Sequence, residues 1–155
     1  MAHPAPIDPT FATAFEAAEF LLDVTGEAQR SGDFEAYAMR FALPNVVVSP
    51  QGSQTLGTRA DLRRVFDGVR TVMADKGDAE MVRSVISAQF IGTTELLANH
   101  ISCWMVDGVR IAAPYTCSGT AQLIHGRWQI VRSSYLVKTI PHLAAVLAGT
   151  PKRTS

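Results

Sequence analysis

The sequence predicts an α+β domain in which helices pack on one face of a sheet. Two observations lead to this fold class. Four runs rich in β-branched and aromatic residues follow one another between residues 80 and 137, and short polar turns separate them. The residues before this stretch show the spacing of amphipathic helices, which need an apolar surface to pack against. Helices followed by a run of strands are typical of the α+β class.

The elements before the four strands are predicted from spacing and capping residues. In order they are a helix over 11–30, a helix over 34–42, a short strand over 45–49 and a helix that starts at 58. Asp33 is a typical N-cap, and Thr58 with Asp61 resembles a capping box. Pro44 should end the second helix and Gly77 the third. Near the C-terminus, 142–149 could add one or two apolar helical turns.

Turn sequences set the expected register of the four strands, which are Glu80–Ile91, Leu96–Val106, Val109–Ile124 and Arg127–Val137. Asp107-Gly108 and His125-Gly126 predict two-residue turns, because a type I′ turn requires positive φ at both central residues. These turns set His100 opposite Tyr115 and Cys117 opposite Ser134. Pro114 is the position where a bulge would shift this register.

Alternation of side chains then assigns the two faces of the sheet. One face should carry His100, Ser102, Trp104, Tyr115, Cys117, Trp128, Ile130, Arg132 and Ser134. The opposite face should carry Asn99, Ile101, Cys103, Met105, Val131 and Tyr135. The length of the first hairpin loop, near Gly92, is ambiguous, so either Arg83 or Ser84 could face inward.

Composition limits the classes of function. The 155 residues predict one domain over 11–140, with a flexible arm over 1–10 and a tail over 141–155. Fourteen basic and fourteen acidic residues cancel, so no global charge attracts nucleic acid or an anionic membrane. No signal peptide or membrane-spanning run is present, and a cytoplasmic protein is expected. Two cysteines form neither a disulfide framework nor a zinc pattern, and no metal site or cofactor is expected.

Several short motifs resemble the nuclear transport factor 2-like superfamily, which includes ketosteroid isomerases, scytalone dehydratases and SnoaL-like polyketide cyclases. The motifs are Gly32-Asp33, Val48-Ser49-Pro50-Gln51-Gly52 with Gly57, Arg83, and Gly126-Arg127-Trp128-Gln129-Ile130-Val131. They span residues 11 to 138, and Phe41-Ala42-Leu43-Pro44 resembles an uncharacterised bacterial branch. The resemblance implies a cone-like, curved antiparallel mixed sheet with three N-terminal helices on its concave face. It also implies that the face carrying Trp128 and Ile130 lines an internal cavity.

The catalytic groups of the ketosteroid isomerases are missing at the matching positions. Ser49 stands where the isomerases have the aspartate that moves the proton, and Thr25 lies near the position of their oxyanion-hole tyrosine. All fourteen acids lie at or before Asp107, so the last two strands offer no carboxylic acid. The resemblance therefore implies the pocket and not the reaction.

The candidate site residues are those of the inward face. His100 and Tyr115 are candidate catalytic residues, and Arg132, Trp104, Cys117, Trp128 and Ser134 are candidate ligand-binding residues. His100 could be an acid/base or a core histidine bonded to Tyr115. Arg132 could anchor an anion or carbonyl oxygen, or could extend to the rim of the pocket. Cys117 could be a nucleophile or a small buried side chain, and the two tryptophans could stack on a ligand or fill the core.

Two functions follow as hypotheses. The first is a small-molecule-binding protein, which as an enzyme would be an isomerase, dehydratase or cyclase that acts on a hydrophobic carbonyl compound. The alternative is a non-catalytic ligand-binding or association module. The expected ligand is a small hydrophobic or anionic molecule. A homodimer through the outer sheet face is expected, because Ile101, Cys103 and Met105 make that face apolar.

Overall fold

The computed structural model of the protein describes residues 7–149, which form four helices and seven strands. The helices are α1 (Ala14–Ser31), α2 (Phe34–Ala38), α3 (Arg59–Asp75) and α4 (Pro141–Ala148). The strands are β1 (Phe41–Ser49), β2 (Gly52–Leu56), β3 (Glu80–Ile91), β4 (Glu95–Val106), β5 (Val109–Arg110), β6 (Tyr115–Ile124) and β7 (Arg127–Tyr135). The predicted α+β class is confirmed, with a fourth helix added to the three N-terminal ones.

The strands form one mixed sheet that curls around the core. Its order is β2-β1-β7-β6-β4-β3, and β5 pairs with β4 outside this path. Only the pairing of β1 with β7 is parallel among the described strands, and the other pairs are antiparallel. The β1–β2 hairpin is absent from the sequence prediction, which placed only a short strand over 45–49. Gly52 and Ser53 are too polar and flexible to mark a strand by hydrophobic alternation.

The helix boundaries follow from their caps. The Thr58 hydroxyl accepts from the Asp61 backbone N–H, and the Asp61 carboxylate accepts from the Thr58 N–H, which completes the predicted capping box. Gly32 ends α1 with φ of 79°, a conformation that favours glycine. The Asp33 side chain accepts from the Ala36 N–H and caps α2, which ends at Ala38 and is shorter than predicted.

The core has two parts inside the curled sheet. The larger cluster joins α2, α3 and α4 to the sheet around Phe66 and Trp104. The smaller cluster joins the first half of α1 to Leu96, Ala121 and Trp128. These two clusters flank the concave space in which the candidate site lies.

Helix α4 covers part of this concave space, in the segment that the sequence predicted as a tail. Its Leu143 and Leu147 are buried in the larger cluster. The Ser49 hydroxyl donates to the Ala144 carbonyl at 2.7 Å, and the Gln54 amide donates to the Val146 and Leu147 carbonyls at 2.9 Å. The β1–β2 hairpin therefore fixes α4 in place. The end of the predicted tail, 150–155, lies outside the described residues.

The predicted N-terminal arm is held at its described end. Residues 1–6 lie outside the described residues, but the Asp8 carboxylate accepts two hydrogen bonds from Arg40, at 2.7 and 2.9 Å, and one from the Trp128 backbone N–H. The side chains of Arg40 and Asp8 are only 8% and 4% exposed. The guanidinium also lies over the Phe20 ring, 4.9 Å from its centroid. The buried ion pair thus joins the N-terminal segment to the residue before β1, and the hydrogen bond from Trp128 joins it to β7.

The predicted pairing of His100 with Tyr115 is wrong by two residues. The Asp107-Gly108 turn does pair Val106 with Val109, but residues 111–114 leave the sheet between β5 and β6. As a result His100 pairs with Cys117, and Tyr115 pairs with Ser102. Because the shift is by two, every side chain of β6 keeps its predicted face.

Two β-bulges reverse the faces of other side chains. One register shift in β3 leaves Ile86 as an extra residue, so that Arg83 pairs with Ser102 and faces inward. Another in β7 leaves Val131 as an extra residue. Beyond Val131, Arg132 is exposed and Ser133 is buried. The predicted inward faces of Arg132 and Ser134 and the outward face of Tyr135 are therefore wrong, because a one-residue bulge changes the parity of all residues that follow.

Candidate functional site: an internal cavity with one arginine

The concave side of the sheet encloses a cavity of about 110 Å³. Its wall is mostly apolar and comes from all four helices and from six strands of the sheet, β1, β2, β3, β4, β6 and β7. The polar side chains on it include Thr25, Gln29, Tyr37, Asn45, Arg83, His100, Ser102, Tyr115, Ser133 and Tyr135. No carboxylate lines the cavity among the described residues. An apolar cavity of ~150 Å³ binds benzene, and this space is smaller, so it limits an enclosed ligand to one small ring or a short chain.

Arg83 is the cationic group of the cavity. Its Nη2 donates to the Leu22 carbonyl at 2.6 Å and to the Thr25 hydroxyl at 3.0 Å, which holds the guanidinium against α1. Gly26 makes this approach possible, since a Cβ at that position would lie 2.9 Å from Nη2. Within residues 7–149 no ion pair involves Arg83. The remaining donors of this guanidinium are therefore available to an oxygen-bearing ligand.

Arg83 also reaches the protein surface. It lines a shallow depression together with Asp23, Gly26, Glu27 and Glu80. Glu27 pairs with Arg30 there, which leaves Asp23 and Glu80 as the acids without an ion-pair partner in the described part of the chain. Arg83 thus borders both the internal cavity and this acidic surface depression.

His100 lines the same cavity as a neutral imidazole. Burial is the main cause that lowers its pKa to about 4, and the positive charge of Arg83 adds to the effect. Its Nε2 is buried and has no hydrogen-bond partner among the described residues. At neutral pH this side chain can donate or accept a hydrogen bond, but it carries no charge.

The phenols around His100 are also neutral at physiological pH. Burial is the largest cause that raises the pKa of Tyr37, Tyr115 and Tyr135. The Trp104 indole N–H donates to the Tyr115 hydroxyl at 2.8 Å, so Trp104 positions the phenol rather than contacting the cavity. The Arg83 guanidinium is consequently the only side chain of the described cavity wall that carries a charge at pH 7.

Asn45 contributes a second unpartnered polar atom. The residue is 0% exposed, and its Nδ2 donates to the Ile130 carbonyl at 2.6 Å and to the Ala42 carbonyl at 3.3 Å. Its Oδ1 is buried without a donor in residues 7–149. Sequence reasoning did not identify Asn45. The available signal was an asparagine, a poor strand former, on the same face of β1 as the buried Val47 and Ser49.

The cavity brings together only part of the predicted site. His100 and Tyr115 both line it, although they are not cross-strand partners. Arg132 and Ser134 lie beyond the β7 bulge and do not line it. Arg83, which the sequence left open against Ser84, takes the place that Arg132 was predicted to fill. Hydrophobic alternation cannot reveal a bulge, so the sequence alone could not distinguish these arginines.

The other three predicted ligand-binding residues are packed in the core and are not part of the cavity wall. Trp104 is 1% exposed, and Trp128 stacks on Phe90 with ring centroids 5.8 Å apart. Cys117 is buried, and burial raises the pKa of its thiol to about 11. A thiol with such a pKa is almost fully protonated at pH 7 and is a poor nucleophile. Cys103, on the opposite face of the sheet, is also a free thiol.

The two positions that match isomerase catalytic residues have structural contacts here. The Ser49 hydroxyl donates to α4. The Thr25 hydroxyl donates to the Leu21 carbonyl at 2.6 Å and accepts from Arg83. Thr25 thus helps to position Arg83. It lies near the position at which the isomerases have their oxyanion-hole tyrosine.

Solved structures identify the architecture. The protein is similar to an NTF2-like protein with a cystatin-like fold from Novosphingobium aromaticivorans, with 21% identity, a TM-score of 0.64 and coverage of 79% of this chain and 80% of that chain. A protein with a cystatin-like fold from Nostoc punctiforme matches with 18% identity, a TM-score of 0.61 and coverage of 78% and 88%. The chain has the nuclear transport factor 2-like fold. This confirms the architecture that the sequence motifs implied.

Another solved structure with a similar fold has a different description. A putative calcium/calmodulin dependent protein kinase II association domain from Xanthomonas campestris has 14% identity, a TM-score of 0.63 and coverage of 89% of this chain and 98% of that chain. No family model and no curated protein matches the sequence. At these identities the likeness establishes the fold alone, so any function must be argued from the site.

Two further features concern metal binding and membrane crossing. No group of three or more His, Cys, Asp and Glu side chains is arranged to bind a metal ion in residues 7–149. None of the helices in that range is long and apolar enough to cross a membrane.

Proposed function

We propose that this protein binds a small, mostly apolar molecule inside its cone and that Arg83 holds a carbonyl or carboxyl oxygen of that molecule. One observation carries the proposal. A guanidinium without an ion-pair partner lines an apolar cavity that has no carboxylate among its described wall residues. Cavities of this kind, with apolar walls and few convergent polar groups, are typical small-molecule sites.

The charges around Arg83 affect which oxygen ligand binds. A carboxylate gains the strongest interaction with Arg83, because it adds the attraction of opposite charges and can accept two parallel hydrogen bonds from a guanidinium. Asp23 and Glu80, which line the surface depression beside Arg83, oppose the binding of an anion. A neutral ketone or amide avoids this repulsion and still accepts from the guanidinium. Both kinds of ligand carry an oxygen that accepts a hydrogen bond, and a binding experiment with charged and neutral probes of similar shape distinguishes them.

A catalytic function has one observation in its favour. His100 lines the cavity, and its Nε2 has no partner in residues 7–149, so it could exchange a proton with a bound carbonyl compound, as an isomerase, dehydratase or cyclase requires. The low pKa of His100 opposes this role, because general acid–base catalysis is most efficient when the pKa lies near the working pH. Tyr115 is held by Trp104 and pairs with Ser102, so it does not activate His100 across the strands. Non-catalytic binding is the better-supported function.

Calorimetric titration with benzoate, benzamide and acetophenone tests the proposal. Wild-type protein should bind at least one of these probes. Arg83→Met should weaken that binding by roughly 10- to 100-fold, the effect of losing one or two hydrogen bonds from a charged donor. Arg132→Met makes the same substitution outside the cavity and should leave the affinity unchanged. Gly26→Ala keeps the positive charge but displaces Nη2, and should also weaken binding.

Two outcomes would contradict the proposal. One is that wild-type protein binds none of the three probes. The other is that Arg83→Met and Arg132→Met have equal effects, which would place the ligand elsewhere. Urea unfolding of each variant is the control that separates lost binding from lost structure.

We also propose that a second copy of this chain covers the outer face of the sheet. The support is a group of exposed apolar side chains on β3 and β4, where Val82 is 45% and Ile86 51% exposed and Leu97 and Ile101 lie on the neighbouring strand. Exposed apolar patches of this kind usually mark contacts between proteins. The similar structure from Xanthomonas campestris is described as a putative association domain, which supports the proposal.

A further inference from the structure

We infer that Asn45 selects a ligand that carries a hydroxyl group, and that the ligand class is therefore a small apolar compound with a carbonyl or carboxyl oxygen at one end and a hydroxyl at the other. The inference rests on the proposed binding function of the cavity and adds a second recognition point to it. Arg83 recognises an acceptor on the ligand, whereas Asn45 recognises a donor.

The orientation of the Asn45 amide is fixed by the main chain. Its Nδ2 donates to the carbonyl oxygens of Ile130 and Ala42. Both partners are acceptors, so the amide nitrogen must face them and Oδ1 must take the other position. The β1–β7 pairing and the bend before it therefore determine which atom of Asn45 is left for a ligand.

The Asn45 oxygen requires a donor from outside the described chain. It is buried and accepts no hydrogen bond from residues 7–149, and Asn45 is one of the residues that line the cavity. Buried acceptors in folded proteins almost always have a partner, because burial without one removes a hydrogen bond to water and replaces it with nothing. A hydroxyl or N–H group of a ligand satisfies this atom directly.

The charge of the cavity favours a hydroxyl over an ammonium group. Asn45 is neutral, and no carboxylate is present on the described cavity wall to compensate a second cation. Arg83 already places one positive charge there, so an amine-bearing ligand would be repelled and would lose its hydration without compensation. A hydroxyl can donate to Oδ1 without bringing charge.

Asn45 and Arg83 lie at different levels of the sheet, that is, at different positions along the direction of its strands. Asn45 bonds to Ile130, whose cross-strand partner on β6 is Ala121, and Ala121 pairs with Leu96 on β4. Arg83 pairs with Ser102, six positions farther along β4. The cavity wall between these two levels includes His100. A ligand that contacts both residues therefore has its two polar groups separated by an apolar middle part, such as a ring.

A matched series of ring compounds tests this inference by calorimetric titration. The parent probes are benzoate and phenylacetate, and the hydroxyl series is 2-, 3- and 4-hydroxybenzoate and 4-hydroxyphenylacetate, which vary the separation of the two groups. The neutral arm uses benzamide and the three hydroxybenzamides. 4-Methoxybenzoate and 3-methoxybenzoate are controls that accept but cannot donate a hydrogen bond. At least one hydroxylated probe should bind tenfold or more tightly than its parent and its methoxy control.

Asn45→Ala should remove this preference, so that the hydroxylated probe and its parent bind within about twofold of each other. Comparing the two probes within each variant cancels any general weakening that the substitution causes. Should Asn45→Ala not fold, a crystal structure of the wild type with the tightest hydroxylated probe replaces it. The expected distance from the probe hydroxyl to Asn45 Oδ1 is about 2.5–3.0 Å.

The outcomes separate this inference from the proposed function. Parent probes that bind through Arg83, with no hydroxylated probe binding more tightly, would overturn the role of Asn45 and leave the role of Arg83 intact. A hydroxyl preference that survives Asn45→Ala, or a hydroxyl bound away from Oδ1, would also overturn it. Failure of every probe to bind would overturn both the role of Asn45 and the proposed binding function of the cavity.

Discussion

Lowering the pH from 7.5 to 5 should destabilise the folded protein through His100. In the unfolded chain this imidazole has an ordinary pKa near 6.5, whereas burial beside Arg83 lowers its pKa to about 4 in the fold. Between these values only the unfolded state binds the proton, so the free energy of unfolding falls as the pH decreases through this window. The full stability is present above pH 6.5. For these two pKa values the loss between pH 7.5 and pH 5 is about 2 kcal/mol.

Urea unfolding at both pH values measures this loss, and His100→Gln is the matched control. Glutamine does not titrate, so the variant should lose about 2 kcal/mol less than the wild type over the same range. Carboxylates titrate equally in both proteins and cancel in the difference. NMR titration of the imidazole should give a pKa near 4. A measured pKa near 6.5, or equal pH dependence in the two proteins, would refute the reasoning and restore His100 as a candidate acid/base.

Two further substitutions test contacts outside the cavity. Asp8→Ala should lower the free energy of unfolding by roughly 3–5 kcal/mol, since it leaves the buried Arg40 without its partner. Glu27→Ala, which removes the exposed pair with Arg30, should change it by less than about 1 kcal/mol. Equal effects of the two substitutions in urea unfolding would contradict the stabilising role of the buried pair. Ile86→Lys should convert the proposed homodimer into a monomer, as measured by light scattering at micromolar concentration. Arg132→Lys, at an exposed position, should leave the dimer intact. A monomeric wild-type protein would refute the dimer.

The sequence predicted the fold through local signals that the structure retains. The Thr58 capping box, the two-residue turns and the strand β3 formed as predicted, because each depends on a few neighbouring residues. The faces of His100 and Tyr115 were also correct, since the excursion at 111–114 shifts the register by an even number.

The site was less predictable because it depends on two single-residue bulges. The bulge at Ile86 turns Arg83 inward, and the one at Val131 turns Arg132 outward. Neither residue differs in type from the regular strand residues around it, so alternation gives no warning. Asn45 was missed for a different reason. Its unpartnered oxygen follows from tertiary contacts with Ile130 and Ala42, which no local pattern contains.

A crystal structure of the wild-type protein with the tightest of the benzoate, benzamide and acetophenone probes tests the central claim most directly. We expect the probe to lie inside the cone, with its oxygen about 2.7–3.2 Å from a nitrogen of the Arg83 guanidinium. A probe bound on the outer face of the sheet, or one inside the cone with its oxygen turned away from Arg83, would contradict it.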